Sequence, residues 1–154
     1  MSKSPVCVTA ALSALGLPGV PVEMPGGTRT AEEDAAAIGC HIDQIAKSIL
    51  FAAGEGCALF LTAGGNRVDG ARASDLAGRA LGRADAATVR RVTGFAIGGV
   101  APLGRASTVP TWLDPRLLDF AEIWAAAGTP RHVFPVAPGA LRDAAGAIVA
   151  EFTA

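Results

Sequence analysis

Apolar and polar positions along the 154-residue chain change period repeatedly, which sets the expected elements. Ser4-Pro5 reads as the cap and first position of a helix over about 5–15, ended by "GLPGVP". "VPVEM" is a short strand and "PGG" a turn. In "TRTAEEDAAAIG", Thr30 and Glu33 have capping-box spacing, acids fill the first turn and Gly39 is placed to stop the helix. "CALFLTA" reads as a buried strand, and the "GGN" turn with "RVDG" as a hairpin signal. Residues 74–91 read as two short helices broken near Gly82. "TVPTWLD", "EIWAAAG", "RHVFPVA" and "AIVAEF" are strands, while "DPRLLDF" and "PGALRDAAG" are short helices. Strands and helices mix without regular alternation, so an α+β fold with a mixed sheet is expected, as one domain over 1–154.

"HIDQIAKSILFAAG" satisfies two periods. Ile42, Ile45, Ala46, Ile49 and Leu50 form a helical stripe, which places Lys47 on the wet side. A strand starting near Lys47 instead groups Lys47 with Ile49 and Phe51, and Ser48 with Leu50 and Ala52. Both faces are then apolar, and Lys47 sits at the mouth of an interior strand. A lysine there must meet an anion or a carbonyl.

"TGFAIGGVAPLG" (93–104) puts four glycines and a proline among core-type residues. A surface turn would use polar residues; a main chain that approaches a ligand would use these. "AAAGTPRHVF" is a second place of this kind. Backbone N–H groups at such bends can hold a carbonyl or phosphate oxygen.

Composition narrows the classes. Apolar residues are 51% and charged ones 18%, which suits a packed core. The net charge of −1 conceals a basic middle: residues 66–105 hold seven arginines and three aspartates. Such a segment can hold a short phosphate backbone or simply solvate helix faces. Cys7, Cys40 and Cys57 have no C-x-x-C spacing, which argues against a disulfide framework or zinc site. The N-terminal run resembles a signal peptide weakly, but its apolar part is short and Ser4-Pro5 fits a helix start, so a cytoplasmic location is expected. No window supports a membrane span, and no nucleophile-elbow, zincin or Walker pattern occurs. His41 and His132 have no further ligand type at metal spacing, so no metal and no cofactor is expected.

"IAKSILF", "TGFAIGGVAPLG" and "WAAAGTPRHVF", in this order and with "GGNRVDG" and the "LD" of "TWLD", resemble the signature blocks of the YbaK / prolyl-tRNA-synthetase-associated editing domain family. The resemblance covers nearly the whole chain. It implies a mixed, partly barrel-like β-sheet flanked by short helices. It also implies trans-editing: hydrolysis of the ester joining a wrong, small amino acid to a tRNA, commonly tRNA(Pro). The implied partners are the acceptor end of an aminoacyl-tRNA and prolyl-tRNA synthetase. Carried over by position, Lys47 is the functional lysine, and Gly98, Gly99, Pro102 and Gly104 line the pocket, with Thr93 and Leu103 in the same loop. Gly128, Thr129 and Pro130 form the second loop, with His132 at the rim. Family members that edit alanine often carry asparagine after the lysine, where this chain has Ser48, a candidate substrate contact. In this reading, Lys47 grips a phosphate or ester oxygen, and the amides of 98–104, Gly98 and Gly99 foremost, stabilise the tetrahedral intermediate. The alternative is a non-catalytic module that binds a tRNA end or a synthetase.

Overall fold

The computed structural model describes residues 4–17, 19–24, 30–95, 99–103, 109–129 and 131–154. Their elements run α1 (Ser4–Ala14), β1 (Val22–Glu23), α2 (Ala31–Ile38), β2 (Ile45–Ala53), β3 (Gly56–Ala63), α3 (Gly70–Ala77), β4 (Gly82–Arg83), α4 (Ala86–Thr93), β5 (Thr111–Leu113), β6 (Ile123–Ala126), β7 (His132–Val136), α5 (Pro138–Ala145) and β8 (Ile148–Val149). Two 3-10 turns, Ile42–Gln44 and Pro115–Asp119, join them. The fold is α+β with a mixed sheet in the order β1-β7-β6-β2-β3-β5-β8, and β4 also pairs with β2.

The ambiguous segment is a strand. β2 pairs along its whole length with β3, from Ala46 opposite Ala63 to Ala53 opposite Gly56. Its other edge is shared, with β6 parallel at Ile45 and Ala46 and β4 antiparallel at Phe51 and Ala52. Pairing on both edges outweighs a helical stripe that would satisfy only its own backbone.

Alternation along β2 and β3 then feeds two cores. Ala46, Leu50 and Ala52 face the larger one, with Leu59, Leu61, Leu113, Phe134 and the buried Val100, Ala101 and Leu103. Ile49, Phe51 and Ala53 face a smaller one around Phe60, Trp112 and Phe152. There Phe60 stacks on Trp112 with centroids 4.9 Å apart and meets Phe152 edge-on at 4.9 Å. Each such ring pair contributes about 0.5–1.5 kcal/mol beyond its buried area.

The expected helix ends hold. Thr30 Oγ1 accepts the Glu33 N–H at 3.1 Å, and Gly39 takes the left-handed conformation that closes α2. The "RVDG" expectation does not hold. No hairpin strand follows the "GGN" turn; Val68 makes a single bridge to Thr153. Asp69 instead accepts the N–H groups of Ala71 and Arg72 and starts α3, so the Asp-Gly pair serves as a helix cap.

Candidate functional site

Lys47 lies on the face of β2 that carries Ile49 and Phe51, at the end of the strand nearest the 64–66 turn. Its ammonium donates a 2.6 Å hydrogen bond to the carbonyl of Asn66. That turn is held from below by two carboxylates. Asp114, 2% exposed, accepts from the Ala63 N–H (3.1 Å), the Asn66 side-chain amide (2.9 Å) and the Arg116 N–H (3.0 Å). Asp43 accepts from the Gly65 N–H at 2.8 Å and from Arg116 Nε at 2.9 Å. The two glycines are required by close approach. A Cβ at Gly64 would lie 2.3 Å from the Ile42 carbonyl oxygen, and one at Gly65 2.6 Å from Asp43 Oδ1. "GGN" therefore fits against the 3-10 turn at 42–44 because it lacks side chains there, and its asparagine ties to the "LD" aspartate.

Around Lys47 is a cleft of about 610 Å³, an ordinary size for a small-ligand site. Ile45, Ile49, Trp124, Ala126 and Val133 give it apolar walls, Thr30, Glu32 and Asp34 of the α2 end face it, and Arg67 joins Lys47 as a second cation. Burial lowers the Lys47 pKa below the ordinary lysine value, and repulsion from Arg67 adds to this; Asp114 and Asp43 pull it back in part. Burial pushes Asp43 up, but the hydrogen bonds from Arg116 and Gly65 outweigh it and hold the carboxyl below the usual range.

Of the residues singled out in the sequence, Lys47, Ser48, Thr129 and His132 line this cleft. Thr129 Oγ1 and His132 Nδ1 share a 2.6 Å hydrogen bond across the β6–β7 bend, where Gly128 is buried with φ +98°. Ser48 falls on the opposite face of β2 from Lys47. Its Oγ is buried and has no hydrogen-bond partner among the described residues. Thr93, Gly99, Pro102, Leu103 and Gly128 are not among the described residues lining the cleft. Thr93 is fully buried at the end of α4, donating to the Val89 carbonyl at 2.7 Å and accepting the Phe95 N–H at 3.1 Å. Gly99, Pro102 and Leu103 are buried, and Leu103 belongs to the larger core. Gly98, Gly104 and Pro130 lie outside the described residues. Sequence reasoning missed Asn66, Arg67, Trp124 and the two carboxylates as parts of one site; the signal available was the "GGN" turn directly after a buried strand. Among the described residues no group of three or more His, Cys, Asp or Glu side chains is placed to hold a metal ion, and no helix is long and apolar enough to cross a membrane.

The family model for the aminoacyl-tRNA editing domain matches residues 26–144, a span that takes in β2, the 64–66 turn, Asp114 and the β6–β7 bend. The chain belongs to the aminoacyl-tRNA editing domain family. Among solved structures, a proposed trans-editing enzyme for prolyl tRNA synthetase superposes with a TM-score of 0.94 at 43% identity, covering 100% of this chain and 99% of that one. The hypothetical protein APE2540 superposes with a TM-score of 0.86 at 27% identity, covering 96% and 99%. Among curated proteins, the uncharacterised YwhH of Bacillus subtilis (strain 168) is 29% identical over 122 residues, 79% of this chain and 78% of its own length. This editing domain thus matches those relatives over most of their lengths.

Proposed function

We propose that the protein is an aminoacyl-tRNA deacylase acting in trans, which hydrolyses the ester between a small wrong amino acid and the 3′ end of a tRNA. The 43% identical neighbour's name makes tRNA(Pro) the first substrate to test. The observation that carries the reading is the part-buried Lys47 ammonium, fixed on the Asn66 carbonyl inside the cleft. A lysine with part of its hydration replaced by one carbonyl keeps two N–H donors for an incoming oxygen.

The charge layout suits an aminoacyl ester. Such a ligand is cationic at its α-ammonium and anionic at its phosphate. Glu32 and Asp34 line the cleft together with Lys47 and Arg67, so it offers charges of both signs. In the proposed reaction the ester is already activated, so positioning and oxyanion stabilisation do most of the work. Water attacks the ester carbonyl carbon while Lys47 stabilises the oxygen that becomes negative or anchors the terminal phosphate. The ribose 2′-hydroxyl relays the proton, the bond to the 3′-oxygen breaks, and a free amino acid and a 3′-hydroxyl leave. The main-chain donors expected from the sequence in the loop of Gly98, Gly99, Pro102 and Gly104 have no part in this proposed step, since Gly99 and Pro102 are buried and not among the described residues lining the cleft. Thr129, Pro130 and His132 are assigned to the rim. The apolar walls act as a size sieve.

The test is deacylation of a panel of mischarged tRNAs by the wild type and Lys47→Met. Loss of one oxyanion-type donor lowers the rate by about 10²-fold or more. Wild-type hydrolysis of no member of the panel, or an unaltered rate in Lys47→Met, would defeat the reading. Tight tRNA binding without turnover would favour the non-catalytic binding module.

A further inference from the structure

The described arginines fall into two groups. Arg116, Arg131 and Arg142 each have a carboxylate within ion-pair distance: Asp43 and Asp119, Glu23, and Asp143. Arg67, Arg72, Arg79, Arg83, Arg90 and Arg91 have none among the described residues. Four of them donate instead to main-chain carbonyls: Arg72 to Thr153, Arg79 to Ala53, Arg90 to Gly94 and Arg91 to Glu55. A carbonyl fixes a guanidinium without neutralising it, and leaves most of its five N–H donors outward. Over residues 70–95 the sequence has five arginines and two aspartates. Asp85 is occupied as the α4 cap on the Thr88 N–H at 2.7 Å.

Their placement is directional. Arg67 lines the Lys47 cleft, and Arg72 follows in the first turn of α3. Arg79 and Arg91 attach to the tip of the β2–β3 hairpin from two different elements. Arg83 is opposite Phe51 in β4, and so on the same sheet face as Lys47. The six residue-to-residue rises from Lys47 to Ala53 span about 20 Å in a strand. That is long enough to run beside several successive phosphates of a duplex strand.

We propose that Arg67, Arg72, Arg79, Arg83 and Arg91 form a track for the sugar-phosphate backbone of a double-stranded RNA stem whose 3′ end enters the Lys47 cleft. The track rests on the deacylase reading for the nature of its ligand, but it is tested by binding alone. Phosphate contacts position a nucleic acid without reading its sequence, so the track fixes how far the stem lies from the cleft.

The experiment is fluorescence anisotropy of an uncharged RNA hairpin with a short 3′ overhang, titrated with the full chain between about 50 and 200 mM KCl. The triple variant Arg72→Gln/Arg79→Gln/Arg83→Gln is expected to lower the steepness of log K against log salt by about two to three. At the lowest salt it binds at least about tenfold more weakly, since each lost phosphate contact removes its share of counterion release. The matching Arg→Lys triple retains most of the slope, and Arg142→Gln, whose arginine is already paired, retains all of it. The proposal is overturned if the Gln triple keeps the wild-type slope, if Arg142→Gln loses as much, or if the protein binds anionic vesicles and not the hairpin. A hairpin bound as described by a protein that hydrolyses no aminoacyl ester would leave the track standing and remove the deacylase reading.

Discussion

Asp114→Asn is the most informative single change, because it alters one atom and leaves the shape of a buried hub intact. Oδ2 of Asp114 accepts two donors, the Ala63 N–H and the Asn66 amide, while Oδ1 accepts the Arg116 N–H. Asparagine has one acceptor oxygen and one NH2 group. Its better orientation keeps the oxygen on the two-donor side and turns the NH2 group against the Arg116 N–H. One donor is then unpaired, at about 1–3 kcal/mol, and two charge-assisted bonds become neutral ones, at about 1 kcal/mol each. Since Arg116 is part-exposed, the total expected is about 3 kcal/mol. For a chain of this length that lowers the thermal midpoint by about 10 °C. The second readout is functional. Asp114 is one of two carboxylates that raise the Lys47 pKa against burial and Arg67. With that charge removed, the alkaline limb of the deacylation profile moves to lower pH, a shift that mere loosening would not produce. Urea unfolding and a pH–rate profile check both parts. A double-mutant cycle with Asn66→Ala, which leaves the carbonyl that holds Lys47, is expected to show about 1 kcal/mol of coupling. The reasoning fails if Asp114→Asn lies within about 0.5 kcal/mol of wild type and the alkaline limb stays in place.

Gly64→Ala forces a Cβ to 2.3 Å from the Ile42 carbonyl oxygen, a backbone atom that cannot swing away; a loss of about 3 kcal/mol is expected by urea unfolding. Gly70→Ala, in the first turn of α3 with nothing within 4 Å of the new Cβ, is expected to gain about 0.4–1 kcal/mol in the same measurement. Ser48→Ala removes a buried hydroxyl without a described partner, so stability should hold or rise by up to about 1 kcal/mol in urea unfolding. A stability loss above that size would show that the hydroxyl is satisfied in the free protein. Lys47 has a folded pKa below its unfolded one. Between the two values the unfolded chain holds the extra proton, so stability rises with pH through that window; Lys47→Met should abolish the rise in unfolding curves taken across it.

Local chemistry was readable in the sequence where one side chain settles it. Thr30 and Gly39 bracket α2 because cap and stop are decided within a few residues. The strand at Lys47 was only half readable, since Ile42, Ile45, Ala46, Ile49 and Leu50 fit two periods and the choice rests on β3 and β6, one of which lies far along the chain. Asp69 was misread because Asp-Gly serves equally well in a hairpin and at a helix start; its two main-chain donors decide the matter. The carboxylate hub was hidden for a different reason. Asp114 meets its donors in the 63–66 turn across 48 and 51 positions of sequence, and no local pattern encodes such a meeting. Signature blocks pointed to Lys47 but could not show that Asn66, Asp43 and Asp114 hold it in place.

That support explains how the site keeps a cation in a part-dry cleft. Burial and Arg67 both drive Lys47 towards neutrality, and an amine without its proton would lose the charge the proposed chemistry uses. The protein answers with two carboxylates set behind the turn, where they raise the lysine's proton affinity without taking its donors; the direct contact is a carbonyl. A carboxylate in direct contact would hold the proton more strongly, but it would also compete with substrate oxygens for the same N–H groups. Charge at a distance with a neutral acceptor in contact leaves the ammonium protonated and available. An Asn66→Asp variant bears on the indirect part of this arrangement. It preserves the carbonyl and adds a negative charge beside Asp114, so the two carboxylates repel and the turn should be destabilised at neutral pH. The stability deficit should shrink as pH falls through the carboxylate range, because protonating either acid restores a donor between them. If unfolding curves show a deficit that is constant with pH, the Asp114–Asn66 contact is not what holds the turn.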